Sequence, residues 1–145
     1  MRLTLRQAQG DRVDKLKVTG DDVLFGQLGN DRIEGGGGND VIYGDTNVLS
    51  GAPGGNDTID AGSGNDRVYA GAGKDKITGG SGNDLLFGLE GNDNISAGNG
   101  DDTLVGGLGN DILRGGAGLD EFQFESGGGR DILFDFVSGE DVMNF

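Results

Sequence analysis

The sequence predicts an all-β fold in which one short unit repeats along the chain and winds it into a solenoid of two facing, short-stranded parallel sheets. Three observations carry that prediction. Glycine supplies 33 of 145 residues beside a single Pro, far above the usual ~7% and without the proline a collagen requires. The glycines recur with a period of nine residues. Within that period one place is always Asp and another is always apolar, a regularity that glycine-rich disorder does not keep.

Residues 1–16 precede the repeat and carry four of the eleven basic residues; they read as an N-terminal extension or linker. The opening Met1-Arg2-Leu3-Thr4-Leu5-Arg6 lacks the apolar run of a cleaved leader or a membrane span. Residues 17–123 hold eleven units, beginning at Lys17, Gly26, Gly35, Gly44, Ala61, Ala70, Gly79, Gly88, Ala97, Gly106 and Gly115. The unit at Gly44 is interrupted by eight extra residues, 46–53, and resumes in register at Gly54. That insertion is expected to loop out.

The fourth place is Gly in every unit: Gly20, Gly29, Gly38, Gly55, Gly64, Gly73, Gly82, Gly91, Gly100, Gly109 and Gly118. The eighth is always apolar: Leu24, Ile33, Ile42, Ile59, Val68, Ile77, Leu86, Ile95, Leu104, Leu113 and Phe122. Places one to six are turn chemistry, because Gly supplies positive φ and Asn or Asp tolerates it. Places seven to nine make a strand of about three residues whose middle side chain points inward. Gly returns too often for a helix. Two units form one coil of eighteen residues, and stacked coils give the two sheets.

The sixth-place aspartates then fall into two rows. Asp22, Asp40, Asp66, Asp84, Asp102 and Asp120 line one edge, and Asp31, Asp57, Asp75, Asp93 and Asp111 line the other. Carboxylates stacked at the strand spacing of about 4.8 Å repel unless a cation lies between them. Each gap offers two carboxylates and the carbonyl oxygens of a glycine-rich turn, a flexible set of hard donors that suits Ca²⁺ better than Mg²⁺. Six turns on one edge and five on the other leave room for up to about nine ions. One inward apolar side chain per nine residues is a thin core, so the ions are expected to be part of the fold.

Composition excludes several functions. No His and no Cys removes imidazole bases, Ser-His-Asp and Cys-His systems, thiolate metal sites and disulfides. The net charge of -14 argues against nucleic acid or an anionic membrane as partner. There is no H-E-x-x-H and no G-x-S-x-G, so the chain reads as a binding module and not an enzyme.

Gly35 to Tyr43 and Gly79 to Phe87 match the G-G-x-G-x-D-x-U-x nonapeptide at every defined place. Residues 17–123 therefore resemble the parallel β-roll of RTX (hemolysin-type) calcium-binding proteins: secreted toxins, serralysin-like proteases, lipases and alginate epimerases. The resemblance implies that the eleven aspartates are calcium ligands. Beside them it implies the carbonyls of second-place Gly36, Gly62, Gly71, Gly80, Gly98, Gly107 and Gly116 and of fourth-place Gly38, Gly64, Gly73, Gly82, Gly100, Gly109 and Gly118. It also implies a chain disordered without calcium, exported through type I secretion machinery without a cleaved N-terminal signal, and folded outside the cell.

Local departures are visible. Gln27, Asp45 and Leu89 replace the second Gly, Ala61, Ala70 and Ala97 the first, and Lys74 and Leu119 the usual Asn or Asp of place five. The Lys17 unit has neither early Gly, so the site between Asp22 and Asp40 has the fewest matching residues. Residues 124–145, richer in aromatics, resemble the segment that caps the last coil in serralysin-like proteins. Phe25, Tyr43, Tyr69 and Phe87 all fall at the outward ninth place, which raises the alternative of a polysaccharide- or surface-binding module. An ice-binding face would need a Thr or Asn ladder, whereas place seven reads Arg32, Val41, Thr58, Arg67, Lys76, Leu85 and Asn94.

Overall fold

The structure, a computed structural model, describes residues 5–7, 18–45 and 54–145. Most of the extension over 1–16, Lys17 and the insertion 46–53 lie outside the described residues. The strands, numbered in chain order, alternate between two sheets. One sheet holds β1 (Leu5–Gln7), β3 (Val23–Phe25), β5 (Val41–Tyr43), β7 (Arg67–Gly73), β9 (Leu85–Gly91), β11 (Thr103–Leu108), β13 (Glu121–Gln123) and β15 (Val142–Asn144), in that spatial order. The other holds β2 (Val18–Thr19), β4 (Arg32–Gly37), β6 (Thr58–Ser63), β8 (Lys76–Ser81), β10 (Asn94–Asn99), β12 (Ile112–Ala117) and β14 (Ile132–Phe134). Every pairing is parallel, and no helix occurs among the described residues. This is the all-β parallel solenoid that the nine-residue period predicts.

Register follows the eighteen-residue coil. Val23 pairs with Val41, and Arg67 with Leu85. Across the insertion the partners are Val41 with Arg67 and Arg32 with Thr58, eight residues further apart. The ladder therefore resumes without a slip, which matters because a one-residue slip would turn each inward side chain outward.

All eleven eighth-place residues are buried and form one core with Ala61, Ala70 and Ala97. Their two facing files, one from each sheet, follow from strand alternation. Outward faces differ. On the eight-stranded sheet Phe25, Tyr43, Tyr69 and Phe87 stack in a ladder, with ring centroids 5.1, 5.2 and 5.0 Å apart. On the seven-stranded sheet the outward residues are polar from β4 to β10, with Arg32 bridging Glu34 at 2.8 Å, and turn apolar at Ile112, Ile132 and Phe134 near the C-terminal end.

Residues 124–145 continue the winding. Ile132 pairs with Ile112 and Val142 with Glu121, offsets of twenty and twenty-one residues. Two extra residues, Phe124 and Glu125, and then Asp135 break the count of nine; past them, Gly129, Asp131 and Leu133, and then Gly139, Asp141 and Met143, occupy places four, six and eight. Phe124, Leu133 and Phe136 pack against the core from this end, with the Phe136 ring tilted on Phe122 at 6.1 Å.

Candidate metal centre

Each aspartate row is built by the turns on one edge of the solenoid, and the backbone holds it in place. Asp22 C=O accepts the N–H of Val41 at 2.9 Å, and Asp40 C=O accepts that of Arg67 at 2.8 Å, so the ladder runs through the sixth place itself. The eleven aspartates named from the sequence are all buried, at 4% exposure or less.

Their side chains share one arrangement. Oδ1 of each aspartate after the first of its row accepts the backbone N–H of the aspartate one coil earlier: Asp40 from Asp22 at 2.9 Å, Asp84 from Asp66 at 2.9 Å, Asp102 from Asp84 at 2.7 Å and Asp120 from Asp102 at 3.0 Å on the first edge. On the second edge Asp57 accepts from Asp31 at 2.9 Å, Asp75 from Asp57 at 2.7 Å and Asp93 from Asp75 at 2.8 Å. The other oxygen is left over. Among the described residues, Oδ2 of Asp22, Asp40, Asp57, Asp66, Asp75, Asp84, Asp93, Asp102 and Asp111 is buried without a hydrogen-bond partner. A buried charged oxygen with no partner is costly; a row of them marks places for a cation.

The electrostatics agree. Burial pushes Asp57, Asp84 and Asp93 up to about 7 and Asp40, Asp75 and Asp102 to about 6. The donated backbone N–H opposes that rise, and for most of these groups the carboxylates of adjacent coils add to it. Asp66, Asp111 and Asp120 are raised by burial in the same way.

The turn glycines lie where the sequence places them. All fourteen second- and fourth-place glycines named above have positive φ, for example 110° at Gly62 and 129° at Gly64. A Cβ on Gly62 would collide with the Gly36 carbonyl oxygen one coil earlier, and one on Gly64 with that of Gly38. Glycine thus keeps successive coils close and their carbonyl oxygens at the gaps. Gln27 and Leu89 reach the same region at φ 91° and 81°, so their carbonyls occupy the turn as a glycine's would.

Among the described residues no three His, Cys, Asp or Glu side chains close on one point. A cation would therefore take two carboxylates per gap and backbone oxygens for the rest. Oxygen-only donors of adaptable geometry fit a hard cation of the calcium type.

Two aspartates missed in the sequence extend the rows. Asp131 Oδ1 accepts the Asp111 N–H at 3.0 Å, and Asp141 Oδ1 accepts that of Asp120 at 3.1 Å. The signal was present in Gly129-Arg130-Asp131 and Gly139-Glu140-Asp141, but the added residues hid it from a fixed count of nine. A second ladder runs at place five in the opposite direction: Asn65 N–H donates back to Asn39 Oδ1 at 2.7 Å, and Asn83 N–H to Asn65 Oδ1 at 2.8 Å.

The aromatic ladder offers little to a sugar. Tyr43 and Tyr69 have both faces covered by neighbouring rings at interplanar angles of 3° to 12°, so they present edges to solvent.

A family model described as the RTX calcium-binding nonapeptide repeat (4 copies) matches residues 18–47, 54–86 and 87–122. No curated protein matches the chain.

Proposed function

Because the chain belongs to the RTX calcium-binding nonapeptide repeat family, and is therefore a calcium-binding module, we propose that calcium is what folds it. The observation that carries this reading is the row of partnerless buried Oδ2 atoms on each edge. Without cations, coil stacking forces these oxygens together in a dry space and the thin core does not repay the cost. With cations, the same stacking becomes favourable. The eleven aspartates and the second- and fourth-place glycine carbonyls are the proposed ligands, with Asp131 and Asp141 adding one gap to each edge beyond the nine of the regular units.

Bound calcium supplies positive charge that joins consecutive turns; the chain's own residues do the remainder. Aspartate Oδ1 ties its turn to the preceding N–H, the glycines hold the carbonyls at the gaps, and residues 124–145 close the C-terminal end of the core. The role is structural, without catalysis. At sites of about 10⁻⁴–10⁻³ M affinity, as in extracellular calcium modules, the chain stays unfolded in a low-calcium cytoplasm. That keeps it threadable through a type I exporter, and it folds in the medium outside.

Far-UV circular dichroism of the chain in chelator and in calcium well above ~10⁻³ M tests the proposal. The expected result is a coil spectrum in chelator and a strand spectrum in calcium. A strand spectrum unchanged between the two overturns it.

A further inference from the structure

Asp45 holds the second place of its unit, where most units have a glycine. Leu89, at the same place in its own unit, is exposed, whereas Asp45 is 8% exposed. Its Oδ2 accepts two backbone N–H groups at 3.2 Å: that of Gly55, across the base of the insertion, and that of Ala72 in the next coil. Its Oδ1 is buried and has no partner among the described residues.

The side chain lies at the gap between the turns that end at Asp57 and Asp75. Its Cβ and Oδ2 are 2.6 and 2.8 Å from the point where a Cβ on Gly71 would sit, so it fills the space that a glycine leaves open in the following coil. Its charge acts on both row aspartates that border the gap. The gap thus has a third carboxylate within electrostatic reach, though not converged with the other two on one point, where the regular gaps have two.

We propose that Asp45 is an additional calcium ligand, through Oδ1, and makes this gap the tightest site of the roll. The inference rests on the calcium-folding reading above. Affinity at oxygen-ligand calcium sites rises with the number of charged ligands, and a partnerless buried carboxylate gains most when a cation arrives. Since Oδ2 of the same side chain ties Gly55 to Ala72, occupancy here also fixes the base of the eight-residue insertion.

Calorimetric calcium titration of the full chain tests this, with Asp45→Asn, Asp45→Gly and the outward-facing Asp60→Asn compared with the unaltered chain. Asp45→Asn keeps a carbonyl acceptor and removes the charge; Asp45→Gly restores the residue of the regular units and guards against a variant that fails to fold. The expected result is one ion bound about tenfold more tightly than the rest in the unaltered chain and in Asp60→Asn, with that ion joining the weaker class in both Asp45 variants. Persistence of the tight class in the Asp45 variants, or a single uniform class in the unaltered chain, overturns the inference alone. A chain that takes up no calcium overturns the calcium-folding reading as well.

Discussion

The two edges of the solenoid carry the same chemistry on turns of different length. On the first, the turns ending at Asp22, Asp40, Asp66, Asp84, Asp102 and Asp120 are uniform; on the second, the turn ending at Asp57 contains eight extra residues and that ending at Asp131 two. Yet the Oδ1 to N–H bonds measure 2.7–3.1 Å on the first edge, Asp141 included, and 2.7–3.0 Å on the second, Asp131 included, and Asp84 and Asp93 are both raised to about 7. Position in the stack, set by the strands and the sixth-place aspartate, decides the environment of each carboxylate. Turn length does not, because the extra residues leave away from the sixth place, between the second and third places before Asp57 and ahead of the first place before Asp131.

The largest effect should come from the fourth place. Gly82→Val on the first edge and Gly91→Val on the second each put a β-branched side chain at positive φ, 119° and 141°, against backbone of the previous coil. Strain of about 1–3 kcal/mol at such a residue plus the backbone overlap should abolish the calcium-loaded strand spectrum in both; loss on one edge only would break their equivalence.

Next in size, Asp84→Ala and Asp93→Ala each remove a carboxylate shared by two gaps. Loss of a metal site is among the few changes that cost more than about 3 kcal/mol, so both should lower the thermal midpoint in calcium by similar, large amounts. Asp31→Ala, at the start of its row, should cost less.

A pH titration sharpens the comparison further. Six row aspartates, Asp40, Asp57, Asp75, Asp84, Asp93 and Asp102, are held above their ordinary value near 3.8, at about 6 to 7, by burial. Between those limits the folded calcium-free chain binds more protons than the unfolded one. Its stability is thus fully present below about 4 and falls as pH rises through about 6 to 7. Folded structure without calcium should therefore appear on acidification, and calcium affinity should rise with pH over the same range. Circular dichroism at several pH values in chelator checks the first, and calcium titrations the second.

How much of this was legible in the sequence depended on where the count of nine survives. Asp84, Gly82 and Leu86 announce their places because their neighbours nine residues away repeat them. Asp131 and Asp141 do not, since Phe124, Glu125 and Asp135 displace them from the count. Only strand pairing, Ile132 with Ile112 and Val142 with Glu121, restores their places. Asp45 could be read as a missing glycine but not as a buried carboxylate, because its contacts with Gly55 and Ala72 join residues ten and twenty-seven apart. The opposed directions of the place-five and place-six ladders were equally invisible, for composition says nothing of which N–H a side chain reaches.

Smaller effects test the tolerance of the second edge. Removal of residues 46–53 joins Asp45 to Gly54 and restores the nine-residue count, and loop closure changes slowly with length. The thermal midpoint in calcium should correspond to a change within about 1 kcal/mol; a large loss would mean the insertion has contacts of its own. Lys74→Asn should stabilise by about 0.5–1.5 kcal/mol, since an Asn at that place can offer Asn92 N–H the acceptor that Asn65 offers Asn83.

Tyr43 and Tyr69 are the only tyrosines, and the chain has no Trp. Their rings stack at 5.2 Å across the coil that the insertion interrupts. Near-ultraviolet absorption and emission of the unlabelled chain are therefore local signals: they report the closing of that coil, while far-ultraviolet measurements report the whole. A lag between the two would give the order in which the coils assemble.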